Sequence, residues 1–179
     1  KNNILPSSYP FYFYFRILGK DKNIKAGEYF FKKNVSFFEV LKTFNKNNLT
    51  YRKITIPECY TIKEVLNLLK SNKYISGDVI NTPEEGSIFP DTYYFLRNVN
   101  ANELIKRMQS KMNKMLEEIW DTNYTYFKSK NDLLIMASMI EAEAKKKHEK
   151  YLVSSVFHNR LKRNMRLQSD PTILYSKNL

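Results

Sequence analysis

The 179-residue chain has one cysteine, Cys59, so an internal disulfide and any multi-cysteine metal site are excluded. Its two histidines, His148 and His158, stand ten residues apart and lack metal-ligand spacing. No apolar run approaches the roughly 18 residues that suggest a membrane span, and no signal-peptide pattern is present. Acidic side chains are outnumbered, 18 against 30 basic ones, which leaves a net charge of +12. Such a field favours anionic partners. Nucleic acid, anionic head groups and an acidic wall polymer all qualify by charge, and the abundance of Lys and Asn reads more readily as nucleotide bias than as function. What the chain has in quantity is apolar and aromatic residues, 42% and 15%, enough for a core.

Periodicity gives an α+β reading. Ser7 is placed to cap a helix running to Leu18, ended by Gly19, with Phe11, Tyr14, Phe15 and Leu18 as a packing face. A short strand is expected over 26–31. Ser36 with Glu39, and Thr61 with Glu64, each make the S/T-x-x-E capping box ahead of an apolar run. Between those two helices, residues 51–56 alternate as a half-buried strand that Pro57 ends. The resulting strand–helix–strand–helix order suggests a small binding module with a weak internal repeat. Residues 84–92 are rich in turn formers and lead to a short strand, Thr92 to Leu96. A long amphipathic helix follows from Asn100 to Trp120, whose stripe of Leu104, Ile105, Met108, Met112, Met115, Leu116 and Ile119 reads as core. After a linker over 121–129, Asn131 or Asp132 is expected to cap another helix. A last helix over about 149–163 is expected to bury Leu152, Val153, Val156, Phe157 and Leu161. The domain boundary is placed near residue 80.

The residues best suited to chemistry lie in the last third. An apolar run from Leu133 to Ile140, broken only by Ser138, leads straight into Glu141. A carboxylate there is expected to be partly desolvated, which raises its pKa toward that of a general acid. Three of its neighbours at helical spacing, Ala137, Ser138 and Ala144, are small and leave room for a ligand. Glu143 stands about 200° around the helix at ~3.6 residues per turn, so the two glutamates should not act as a dyad. The plainer reading is a pair of surface ion pairs, Glu141 with Lys145 and Glu143 with Lys147. Downstream, Asn159, Arg160, Gln168, Asp170 and Thr172 form a compact polar segment. Asp170 and Pro171 suit the start of a new helix, Arg160 is placed to brace Asp170, and Gln168 suits sugar hydroxyls and amides. Glu85 and Asp91 flank Gly86 and Pro90 as turn formers with a secondary role in lining a cleft.

Four blocks together resemble the MltG/YceG-like family of endolytic murein transglycosylases. They are Lys25–Tyr29, Ile56–Thr61, Glu85–Tyr93, and the long ordered stretch from Met136 through Val156–Leu161 to Met165–Tyr175. The resemblance implies a truncated N-terminal helical segment at 1–19 and a LysM-like peptidoglycan-binding domain at 20–79. It implies a mixed α/β catalytic domain at 80–179 that continues beyond Leu179. It also implies cleavage of the MurNAc–GlcNAc bond of nascent peptidoglycan to 1,6-anhydroMurNAc ends, without metal or cofactor. Glu141 matches the family's catalytic acid/base. Gln168, Asp170, Thr172, Asn159, Arg160, Glu85 and Tyr175 match positions that would bind substrate or brace the site. A periplasm-facing enzyme at the bacterial inner membrane is implied, held by an anchor preceding this chain. Glycan strands and peptidoglycan synthases or the divisome are the implied partners, and nucleic acid is not among them. The chain departs from the family at Cys59, usually glycine, at Ala142, usually lysine, and at His158, usually isoleucine. The alternative function is a non-catalytic peptidoglycan-binding or scaffold protein.

Overall fold

The computed structural model describes residues 9–17, 25–46, 48–120, 127–144 and 146–170. In order the elements are α1 (Tyr9–Ile17), α2 (Phe37–Asn45), β1 (Arg52–Thr55), α3 (Ile62–Ser71), β2 (Ile75–Ser76), β3 (Thr92–Phe95), β4 (Val99–Asn100), α4 (Ala101–Trp120), α5 (Lys130–Glu143) and α6 (Glu149–Lys162). Helices with small sheets make this a mixed α/β arrangement consistent with α+β.

Both capping boxes form. The Ser36 and Thr61 side chains accept from the backbone N–H groups of Glu39 and Glu64, whose carboxylates accept in return from the cap backbones. The expected strand over 26–31 is reduced to a single antiparallel bridge, Tyr29 to Leu49. The chain is instead tied down there by Glu28, whose carboxylate accepts from Arg52 and Arg97, each at 2.8 Å. Those two guanidiniums hold the Glu28 carboxyl below its ordinary value. Arg52 also lies 4.0 Å over the Tyr74 ring.

β1 pairs antiparallel with β3, Arg52 opposite Phe95 and Thr55 opposite Thr92. β2 and β4 form a second, parallel pair. Alternation then dictates what is buried: Ile54 from β1, Tyr93 and Phe95 from β3. They join Ile56, Ile62, Val65, Leu69, Ile88, Leu104, Ile105 and Met108 in the main core, which draws residues from both sides of residue 80. Leu104 and Met108 are wholly inaccessible. The α4 stripe is buried as far as Met112 and fades beyond it, so that Ile119 is exposed.

α5 is capped by Ser129, whose Oγ accepts from the Asp132 N–H, and not by Asn131 or Asp132. Its first turn is held to α4 by an ion pair of Lys130 with Glu117. α5 packs on α6 around a smaller core of Met136, Met139 and Phe157. Of the five residues expected to be buried on α6, only Phe157 is; Val153 is half-buried, and Leu152, Val156 and Leu161 are exposed. Among the described residues α5 is the helix that α6 packs against, with Phe127 and Leu167 at the edge of the contact. On α1, Tyr14 packs edge-on against Phe37, while Tyr12, Phe13 and Ile17 face outward. Ser7, Leu18, Gly19 and most of the 121–129 linker lie outside the described residues.

Candidate active site

Glu141 sits in the last turn of α5, which ends at the Ala144 cap. The chain then turns back, and α6 begins at Glu149. This reversal sets Lys150 against Glu141: Nζ donates to Oε1 at 2.6 Å and to Oε2 at 2.5 Å. The partner is thus a residue of the next helix, nine positions on. Lys145, the expected partner, lies outside the described residues. Nor is the carboxylate in an apolar recess, because each side chain of the pair is 33% exposed. Of the small neighbours, Ala144 is buried, Ser138 is half-buried with its hydroxyl turned back to the Ile135 carbonyl, and Ala137 is exposed.

A third element reaches this pair. The turn after β1 carries Cys59 at φ 62, the left-handed region that suits glycine. Burial raises the Cys59 thiol above its ordinary value, with the Glu141 and Glu58 carboxylates adding to the effect and Lys150 opposing it. The thiol therefore lies within electrostatic reach of the Glu141–Lys150 pair. The same turn is steadied from below by Glu85, whose two carboxylate oxygens each accept from the Ile62 N–H at 3.1 Å, at the start of α3. Gly86 follows at φ 76, and a Cβ there would meet the Leu134 side chain of α5 at 3.0 Å. Glu85 thus joins the α3 start to the face of α5 that leads to Glu141.

Glu143 has a different partner. Its Oε2 accepts from the hydroxyl of Ser169, a residue only 6% exposed, at 3.0 Å. The two glutamates consequently bind separate groups, Lys150 and Ser169, and form no dyad. Arg160 donates to the Leu167 carbonyl and pins the incoming strand of the same loop. That contact replaces the brace to Asp170 expected from sequence; no ion pair joins Arg160 to Asp170 among the described residues. Between the two tethers Gln168 is exposed and held at φ 49. A non-glycine residue kept left-handed between fixed points stores modest strain of the kind that gathers at functional sites. Asn159 and Asp170 are exposed, while Thr172, Tyr175 and the helix expected after Asp170 lie outside the described residues. Sequence reasoning missed Lys150 and Ser169. Neither carries a local signal, because each matters only through a partner on another segment.

A separate open groove of about 570 Å³ runs between β3 and α4, lined by Asp91, Tyr94, Lys106, Arg107 and Lys111 among others. None of its lining residues belongs to α5 or α6. Its polar groups largely bind one another: Lys111 pairs with Asp91, and Arg107 donates to the Tyr94 carbonyl. No group of three or more His, Cys, Asp or Glu side chains suited to a metal occurs among the described residues. No helix there is long and apolar enough to cross a membrane.

The molecule is thus a mixed α/β protein in which the Glu141 carboxylate at the end of α5 meets the Lys150 ammonium, while Glu143 holds the polar loop through Ser169. The YceG-like family model matches residues 1–179, and the chain belongs to that family. An endolytic murein transglycosylase of Bacillus subtilis is 29% identical over 208 aligned residues, covering 98% of this chain and 58% of the relative. One from Streptococcus pneumoniae strain D39 is 28% identical and covers 91% of this chain and 38% of its own. The chain thus spans well under two thirds of the length of these curated relatives. A crystal structure of a yceG-like protein from Listeria monocytogenes superposes with a TM-score of 0.55 at 24% identity, over 99% of this chain and 69% of that one, and shares the fold.

Proposed function

We propose that the protein is an endolytic lytic transglycosylase that cleaves between MurNAc and GlcNAc of nascent peptidoglycan and leaves 1,6-anhydroMurNAc ends. The observation that carries this reading is the setting of Glu141 within a chain of the YceG-like family: one carboxylate at a helix end, bonded to Lys150 and apart from Glu143, which binds Ser169 instead. Glu141 donates its proton to the glycosidic oxygen as the bond from C1 to that oxygen breaks. The same carboxylate then accepts the proton of the muramyl C6 hydroxyl as its oxygen bonds to C1. The internal nucleophile makes a second carboxylate unnecessary, unlike the paired-carboxylate hydrolases, and proximity supplies much of the rate. Gln168, Asp170, Thr172, Asn159 and Tyr175 are assigned to substrate binding. Arg160 and Glu85 are assigned to bracing, in keeping with their bonds to Leu167 and Ile62.

In this reading residues 20–79 form a LysM-like module that holds the glycan, and residues 80–179 belong to the catalytic domain. The enzyme works on the periplasmic face of the inner membrane, beside peptidoglycan synthases. The test is mass spectrometry of purified peptidoglycan incubated with the natural full-length protein and its Glu141→Gln variant. Anhydromuramyl products from the unmodified protein alone are expected. Reducing ends would mean a hydrolase, and a folded protein that binds glycan without cleaving it would be a scaffold.

A further inference from the structure

Lys150 is the one group that the structure places on both oxygens of Glu141, at 2.6 and 2.5 Å. Stability does not explain such a contact, because a pair exposed to this extent is worth little. Geometry does. Glu141 is in the last turn of α5, where a glutamate side chain has several rotamers open to it, and Lys150 is in the first turn of α6. Two charge-assisted bonds from a separate helix select one orientation.

We propose that Lys150 is a positioning residue for the cleavage reaction: it holds the Glu141 carboxylate in its working orientation and balances its charge while the proton is away. The proposal rests on the transglycosylase reading above. In that cycle Glu141 is anionic between the two proton transfers, when the C1–oxygen bond is broken and the C6 hydroxyl has not yet closed on C1. An ammonium already in place stabilises that anion without reorganisation. Lys150 neither gains nor loses a proton overall: the proton that Glu141 donates stays on the hydroxyl of the released sugar, and the C6 hydroxyl returns another to the carboxylate as its oxygen bonds to C1. The turn carrying Cys59 brings a thiol within electrostatic reach of the pair, and no other ammonium of the described residues is bonded to Glu141.

The experiment measures kcat and KM for anhydromuramyl product release from uncrosslinked glycan strands. It compares the natural full-length protein with its Lys150→Met and Lys150→Arg variants, with thermal unfolding of each. Lys150→Met is expected to lower kcat on the order of 10²-fold, the loss that follows misplacement of a reacting group, with KM and melting temperature unchanged. Lys150→Arg, which also presents paired donors, should recover most of that loss. Normal kcat in Lys150→Met overturns the proposal while leaving the transglycosylase reading intact. So does a kcat loss that Arg does not rescue and that accompanies a lower melting temperature, which marks a structural role. Absence of anhydromuramyl product from the unmodified protein overturns both.

Discussion

Two regions of the molecule are built to different densities. Around β1, β3, α3 and α4, eleven buried side chains from Ile54 to Met108 close into one core. Around α5 and α6 the core cluster among the described residues has three buried members, Met136, Met139 and Phe157, and Leu152, Val156 and Leu161 stay exposed. Yet Glu141, Lys150, Glu143 and Ser169 belong to the sparse region. There, position is set by polar contacts between segments, Lys150 to Glu141, Ser169 to Glu143 and Arg160 to Leu167. The dense region supplies the fixed turns against which they work, through Glu85 at the start of α3 and Gly86 against Leu134. Regions with few buried apolar contacts open at lower free energy than the cores they lean on, which suits the glycan-binding role proposed for this one.

The sharpest way to break this comparison is to remove one side chain from each core. Leu104→Ala, at a fully buried position, is expected to cost about 2–5 kcal/mol, and Met139→Ala on α5 to fall at or below the bottom of that range. Denaturant unfolding measures both, and equal costs would show the two regions to be equally close-packed. Next in size is a local effect within the site. Glu143→Ala frees the buried Ser169 hydroxyl of its acceptor at about 1–3 kcal/mol. Hydrogen exchange at residues 165–170 should rise while exchange in α3 and α4 stays unchanged; a rise everywhere would mean one cooperative unit. A smaller effect, about 1 kcal/mol, is expected from Thr61→Ala, which removes the α3 capping box.

Acid should then act on four carboxylates that precede α5. Glu28, Glu39, Glu64 and Asp91 are all held below their ordinary values, Glu28 by Arg52 and then Arg97, Asp91 by Lys111 and then the Thr92 N–H, the other two by their capping bonds. A depressed carboxyl stabilises the fold above its unfolded value and loses that contribution as pH falls through the folded one. Stability should therefore drop below about pH 4.5, the ordinary glutamate value, and Glu28→Gln should flatten that drop. An unchanged acid limb would remove Glu28 as a contributor. The smallest expected effect is at Cys59: replacing it with glycine at φ 62 relieves a left-handed side chain at some entropic cost, a net change within about 1 kcal/mol.

Much of the local structure is legible along the chain because its causes are local. The capping boxes at Ser36 and Thr61, the alternation from Arg52 to Ile56 and the stripe from Leu104 to Met112 each depend on residues within a few positions of one another. By themselves they determine that these helices and strands form, and which face each buries. The same kind of reasoning places Glu141 at a helix end with Glu143 pointing elsewhere.

Whatever depends on a distant partner had to wait for the tertiary structure. β1 takes β3 as its partner, across residue 80, because register is chosen by the face both strands bury and not by nearness in sequence. Residues 26–31 present the composition of a strand, but a strand needs a ladder, and only Tyr29 finds one rung. The apolar residues of α6 are hydrophobic in sequence, yet among the described residues its contact with α5 buries Phe157 and leaves Leu152, Val156 and Leu161 exposed. Sequence pairs Glu141 with Lys145 by helical spacing. Lys145 lies outside the described residues; the reversal between α5 and α6 brings Lys150 to the carboxylate, a contact that only the folded chain could reveal.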